Sequence, residues 1–149
     1  MKKLVAAALA GLILLSLVVG YVIVEPKTRT IRIEIAGIAL IVELAETTAD
    51  QERGLSYRSN MPIDHGMLFI FNQENLWGFW MHEMMFPLDI IWFNSQRQAV
   101  FIEDNLQPCT PQSCPIYTPS SPALYVLEVN AGFVTAHNII LGTTFTFFN

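Results

Sequence analysis

Positive charge is scarce in this chain of 149 residues: Lys and Arg number eight together, and Lys2 and Lys3 stand at the very start. From Glu25 onward six bases face thirteen acids, a net charge of −7. A domain with that balance and no basic cluster is a poor partner for nucleic acid or an anionic lipid surface, because affinity there rests on neutralised phosphates. The sequence also lacks a Gly-rich phosphate loop, a Gly-x-Ser-x-Gly elbow and a His-Glu-x-x-His pair. Nucleotide-binding loops, serine-hydrolase elbows and zinc-protease helices are therefore without their residues, and no cofactor is expected. Cysteine is limited to two positions, and no internal repeat is present.

What the chain does have is apolar residues, 52% of the total. Leu4–Val24 contains no charge and is long enough to span a bilayer as a helix. Lys2 and Lys3 would hold its N-terminus in the cytoplasm. A cleaved signal peptide is the alternative, but it calls for a shorter apolar core and a better small-residue site than Val18-Val19-Gly20. Either way the rest of the chain is exported: residues 25–30 read as a linker and 31–149 as one domain, periplasmic or on the cell surface.

Within that domain Ile31, Ile33 and Ile35 alternate with Arg32 and Glu34, the period of a half-buried strand. Ala36-Gly37 reads as a turn into a second strand over residues 38–44. Thr47 or Thr48 can cap a short helix ending near Gly54, with Asp50 and Gln51 as capping-box partners. Residues 67–71, 88–93, 98–103, 123–129 and 143–148 follow as strands, and 133–137 as a helical turn. Residues 107–122 hold five prolines, which excludes a regular helix or central strand. They also hold Cys109 and Cys114, which read as a small disulfide loop in an exported domain. Turn signals every eight to twelve residues predict an all-β fold with minor α content, a compact antiparallel β-sandwich or partly closed barrel with one short helix.

Arg53-Gly54-Leu55 with Arg58, Gly66-Met67-Leu68-Phe69, Phe79-Trp80-Met81, Pro87-Leu88-Asp89-Ile90-Ile91, Tyr125-Val126-Leu127-Glu128 and Ala131-Gly132 occur in this order. Together they resemble the DUF192 family, also called UPF0127, over about residues 38–147. The resemblance implies a small, mostly β, often exported domain and supplies no reaction. Three positions depart from the family's usual residues: Ser56 stands for Met, His82-Glu83-Met84 for Lys-Asn-Thr, and Gly142-Thr143 for Gly-Asp.

Asp89 and Glu128 are carboxylates set in apolar strands, where an ionised group is costly unless paired. They could serve as the paired carboxylates of a small hydrolase. The simpler expectation is that each is held by Arg53 or Arg58, or by backbone N–H groups, as a structural contact. For Asp89 the specific expectation is a charge-assisted hydrogen bond from Arg58 or Arg53, forming the floor of a pocket. Trp77, beside Gly78, is a candidate stacking contact, and Trp80 and Trp92 suit the core. His65, His82, Met67, Met81, Met84 and Met85 are soft or borderline metal ligands. Their alternation along strands keeps them from converging, so no metal site is expected. The composition therefore leaves two classes. One is an exported binding module for a small ligand, carbohydrate or envelope component, using Arg58, Trp77, Trp80 and Asp89. The other is a hydrolase using Asp89 and Glu128.

Overall fold

The computed structural model describes residues 28–148. The expected anchor over residues 4–24 and the first half of the linker, residues 25–27, lie outside that range. Among the described residues no helix is long and apolar enough to cross a membrane.

Strands β1 (Thr30–Ile35) and β2 (Ile38–Ala45) form the hairpin that the alternation predicts, with Ile35 opposite Ile38. Ala36 and Gly37 both adopt positive φ, 51° and 78°. Two such residues give a turn whose twist suits flanking strands. Helix α1 (Thr48–Arg53) follows. The Thr47 hydroxyl accepts the Asp50 amide N–H at 3.2 Å, and Gln51 Nε2 donates to the carbonyls of Ala45 and Ile70. The cap starts the helix, and Gln51 fastens it to the sheet.

Strands β3 (His65–Asn75), β4 (Leu88–Phe93), β5 (Ala99–Leu106), β6 (Ala123–Asn130), helix α2 (Phe133–Ala136) and strand β7 (Phe145–Phe147) complete the order. The strand expected over residues 67–71 is longer than the sequence implies, because β3 runs from His65 to Asn75, past a register shift after Ile70. Cys109 and Cys114 lie in the proline-rich loop at disulfide distance, with Cα atoms 5.0 Å apart.

All seven strands join one sheet in the order β5-β4-β6-β3-β2-β1-β7. Two features differ from an antiparallel sandwich. First, β2 and β3 pair in parallel, Ile41 with His65 through Ala45 with Phe69. A parallel pair needs a crossover, and residues 46–64 with α1 provide it. Second, there is one sheet instead of two, and it curls until its edges meet at one end. Gln98 bridges to Thr144, the Ala99 N–H donates to the Thr143 carbonyl at 2.8 Å, and the Gly142 N–H donates to the Ala99 carbonyl at 2.8 Å. The result is a curled half-barrel.

Both faces of this sheet are covered. The inner face buries Ile33, Leu40, Leu68, Ile91, Phe93, Leu127 and Phe145 under α2, and the outer face buries Met67, Phe69, Leu88, Ile90, Trp92 and Val126 under the loops that carry Leu55 and Met81. Each such side chain contributes on the order of 1.5–3 kcal/mol. Strand β4 has all six residues buried, which explains why its sequence shows no polar alternation.

Candidate ligand-binding site

The sheet's register sets out the charged row. Glu43 pairs with Met67, Met67 with Glu128, and Glu128 with Ile90, so these four side chains share the outer face. Asp89 pairs with Val129, one residue along, and successive side chains of a strand point to opposite faces. Asp89 and Glu128 therefore do not open to one cleft. A paired-carboxylate hydrolase built from them lacks its geometry.

Asp89 is fully buried and its partners are backbone amides. Oδ1 accepts the N–H of Asn105 at 2.8 Å and of Gly132 at 3.2 Å, and Oδ2 accepts the N–H of Val134 at 2.8 Å. The expectation of an Asp89–arginine pair is thus corrected. Three amide donors satisfy the carboxylate and fasten β4 to β5 and to the first turn of α2. Arg58 instead makes a two-pronged contact with Glu43, one arm at 2.8 Å and one shorter, and Arg53 pairs with Asp50 at 2.8 Å. Hydrogen bonding to Arg58 holds the Glu43 carboxyl below its ordinary value. Glu43 drew no notice in the sequence, because its alternation with apolar neighbours looks like an ordinary half-exposed strand position.

Glu128 is the anomaly. It is 5% exposed, and its Oε2 has no hydrogen-bond partner. Burial pushes its pKa from 4.5 up to about 8, against the opposing pull of Arg58. It lies in the wall of a cavity of about 220 Å³ on the outer face. α1 and the loop after it contribute Gln51, Arg53 and Ser56, and β3 contributes Phe69 and Phe71. The segment after β3 contributes Trp77, Phe79, Trp80, His82 and Met84.

The aromatic wall is ordered by its own contacts. Phe71 and Trp77 stack at 4.0 Å, Phe79 meets Phe69 edge-on at 4.8 Å, and Phe79 meets Trp92 edge-on at 5.7 Å. Paired backbone hydrogen bonds between Phe79 and Tyr117, at 2.9 and 2.8 Å, fix the segment. Trp92 is fully buried and gives its indole N–H to the Trp77 carbonyl at 2.8 Å. Trp80 departs from a core position: it is 56% exposed at the rim and sits beside His82. The Trp77 indole Nε1 is buried without a partner.

Of the residues expected to bind a ligand, Trp77 and Trp80 line this cavity, Arg58 stands behind it on Glu43, and Asp89 lies on the other face. Among the described residues no group of three or more His, Cys, Asp and Glu is placed to hold a metal.

With the geometry established, comparison places the fold. The DUF192 family profile, "Uncharacterized ACR", matches residues 30–147. The chain belongs to the DUF192 family. A chain of known structure from Sinorhizobium meliloti 1021, provisionally described as a transcription regulator, is 32% identical. Its match covers 83% of this chain and 97% of that one, with a TM-score of 0.76. A protein of unknown function from Novosphingobium aromaticivorans DSM 12444 is 29% identical over 78% of this chain and 84% of that one, with a TM-score of 0.70. No curated protein matches the chain. Two of the three departures from the usual DUF192 residues fall on the cavity, since Ser56, His82 and Met84 all line it.

Proposed function

We propose that this DUF192 domain is a small-ligand binding module, held outside the cytoplasmic membrane by the apolar segment over residues 4–24. The observation that carries the binding reading is the outer-face cavity, which joins an aromatic wall to a buried carboxyl group with an unpartnered oxygen. Ligand sites are typically concave, mostly apolar, and supplied with a few placed polar groups. At about 220 Å³ the space exceeds the roughly 150 Å³ apolar cavity known to hold benzene. Export is supported by the uncharged segment and by the cysteine pair, since disulfides persist in oxidising compartments. The regulator description of the Sinorhizobium relative finds no support in charge: a DNA-gripping face needs basic residues, and this domain is acidic.

The three tryptophans offer a direct test. Protein labelled with 5-fluorotryptophan should give one fluorine resonance each for Trp77, Trp80 and Trp92. A library of small sugars, amines, acids and dipeptides is added at millimolar concentration. The binding reading expects at least one compound to move the Trp77 and Trp80 resonances more than that of Trp92. A library that moves none of them refutes it.

A further inference from the structure

Two polar atoms are buried without a partner among the described side chains, Trp77 Nε1 and Glu128 Oε2, and both residues line the same cavity. Buried polar atoms are nearly always satisfied, and an exception calls for an explanation such as a functional role, a bound water or an ion. The indole N–H asks for an acceptor, such as a hydroxyl oxygen, and the carboxyl oxygen for a hydrogen-bond donor or a cation. The surrounding protein gives the carboxyl oxygen no hydrogen bond, because the nearby guanidinium groups are committed, Arg58 to Glu43 and Arg53 to Asp50, and Arg58 acts on Glu128 only through space. The Gln51 amide is likewise committed to the carbonyls of Ala45 and Ile70. The rest of the wall is led by ring faces and edges, Phe69, Phe71, Trp77, Phe79 and Trp80, with Thr48, Glu52, Ser56 and His82 as its other polar side chains.

We propose that this cavity takes a small organic ammonium ion, with Glu128 as its counter-ion and the rings of Trp77, Phe79 and Trp80 against its alkyl groups. The proposal rests on the binding reading above and names the ligand class for the same site. Aromatic faces attract cations through their quadrupoles, best for Trp and most strongly when water is excluded, and aromatic cages are used to hold quaternary ammonium groups. A sugar would ask for several free polar partners, and the wall has few. An anion would ask for a free guanidinium, and both arginines are engaged. The cavity volume, about 220 Å³, suits a small ion.

The site's protonation follows from its burial. With Glu128 titrating near 8, the empty site is mostly neutral at pH 7. Arrival of a quaternary ammonium favours the carboxylate, so the Glu128 proton leaves to solvent as the ion pair forms. The other charged or titratable groups facing this region are the Arg58–Glu43 pair, the Arg53–Asp50 pair, Glu52 and His82.

Choline and its uncharged isostere 3,3-dimethyl-1-butanol test the idea on the full chain by calorimetry and the fluorine resonances. Choline should bind at least ten times more tightly than the isostere at pH 8.5. Its affinity should rise about tenfold per pH unit from 6 to 8 and level off above, with close to one proton released per ion at pH 7. Glu128→Gln should abolish the preference for choline and flatten the profile. It should still bind the isostere, which shows that the cavity is folded. An isostere as tight as choline overturns the proposal. So does a pH profile equally steep in Glu128→Gln, which would place the titrating group elsewhere. If neither choline nor any amine or dipeptide of the library binds but a sugar or an acid moves Trp77 and Trp80, the ammonium class is wrong and the binding reading survives. If nothing moves them, both fall.

Discussion

A carboxylate taken out of water must be given donors, and the two buried acids of this domain have been treated in opposite ways. Asp89 receives three backbone N–H groups, whereas the Oε2 of Glu128 receives none. Asp89→Asn replaces one accepting oxygen by a donor that faces amide donors. A hydrogen bond to a charged group is worth roughly 1.5–3 kcal/mol, so the substitution should cost about 3 kcal/mol. Denaturant melts of the two proteins check this, and coincident midpoints would show that Asp89 does not hold β4, β5 and α2 together. Both acids stand out in the sequence, because a charge in an apolar strand is costly wherever it lies. Their partners do not. Amide donors from Asn105, Gly132 and Val134 are brought to Asp89 by the fold, and a sequence that allows backbone amides as well as Arg58 or Arg53 does not say which. The choice of Arg58 for Glu43 is set by the register of β2 on β3, which is a tertiary property.

At the scale of elements, Gly66 decides how closely two strands can approach. A Cβ at that position would lie 2.8 Å from the Glu128 carbonyl oxygen and 3.2 Å from Val129 Cγ1. The obstacle is backbone, which cannot swing aside. Gly66→Ala should therefore push β3 away from β6, lowering stability by about 1–3 kcal/mol, as overpacking typically does. It should also disturb the Glu128 end of the cavity. Thermal melts and the Trp77 and Trp80 fluorine shifts read the two effects, and an unchanged melt would mean the strands part without cost. Much at this scale is legible beforehand. The β1–β2 hairpin follows from alternation and Ala36-Gly37, α1 from its Thr47 cap, and β4 from its short apolar run. The parallel pairing of β2 with β3 is not legible, because a period of two reports which face is buried and is silent about strand direction.

For the molecule as a whole, Glu128 ties stability to pH. Its folded pKa is raised from 4.5 to about 8, so the folded state keeps a proton that the unfolded state gives up. The benefit of burying the neutral acid is fully present below pH 4.5. It declines as pH rises from there to about 8 and is then exhausted, a total of at most about 5 kcal/mol. Glu43 works in the other direction. Its folded pKa is depressed by Arg58, so its contribution is present above 4.5 and is lost as pH falls through the lowered value. Melts should therefore show lower stability at pH 9 than at pH 5, and Glu128→Gln should remove most of that decline. A wild-type profile flat from 5 to 9 would contradict the burial argument. The global shape is the part least available from sequence, since a sandwich and a curled sheet share turn spacing and alternation, and only the meeting of the two edges separates them. That meeting has a consequence in time. The three residues of β7 pair with β1, Ile33 opposite Phe147, while the adjoining Thr144 bridges to Gln98 beside β5. Both edges of the sheet thus wait for one short strand, the last of the described strands to be synthesised. Until it arrives, the free edge of β1, with Ile33 and Ile35 on its apolar side, is open to pairing with another chain. Loop closure across nearly the whole domain must precede the reward of sealing it. Nascent chains stay vulnerable from the synthesis of β1 until that of β7, and a holding chaperone would find its work at β1.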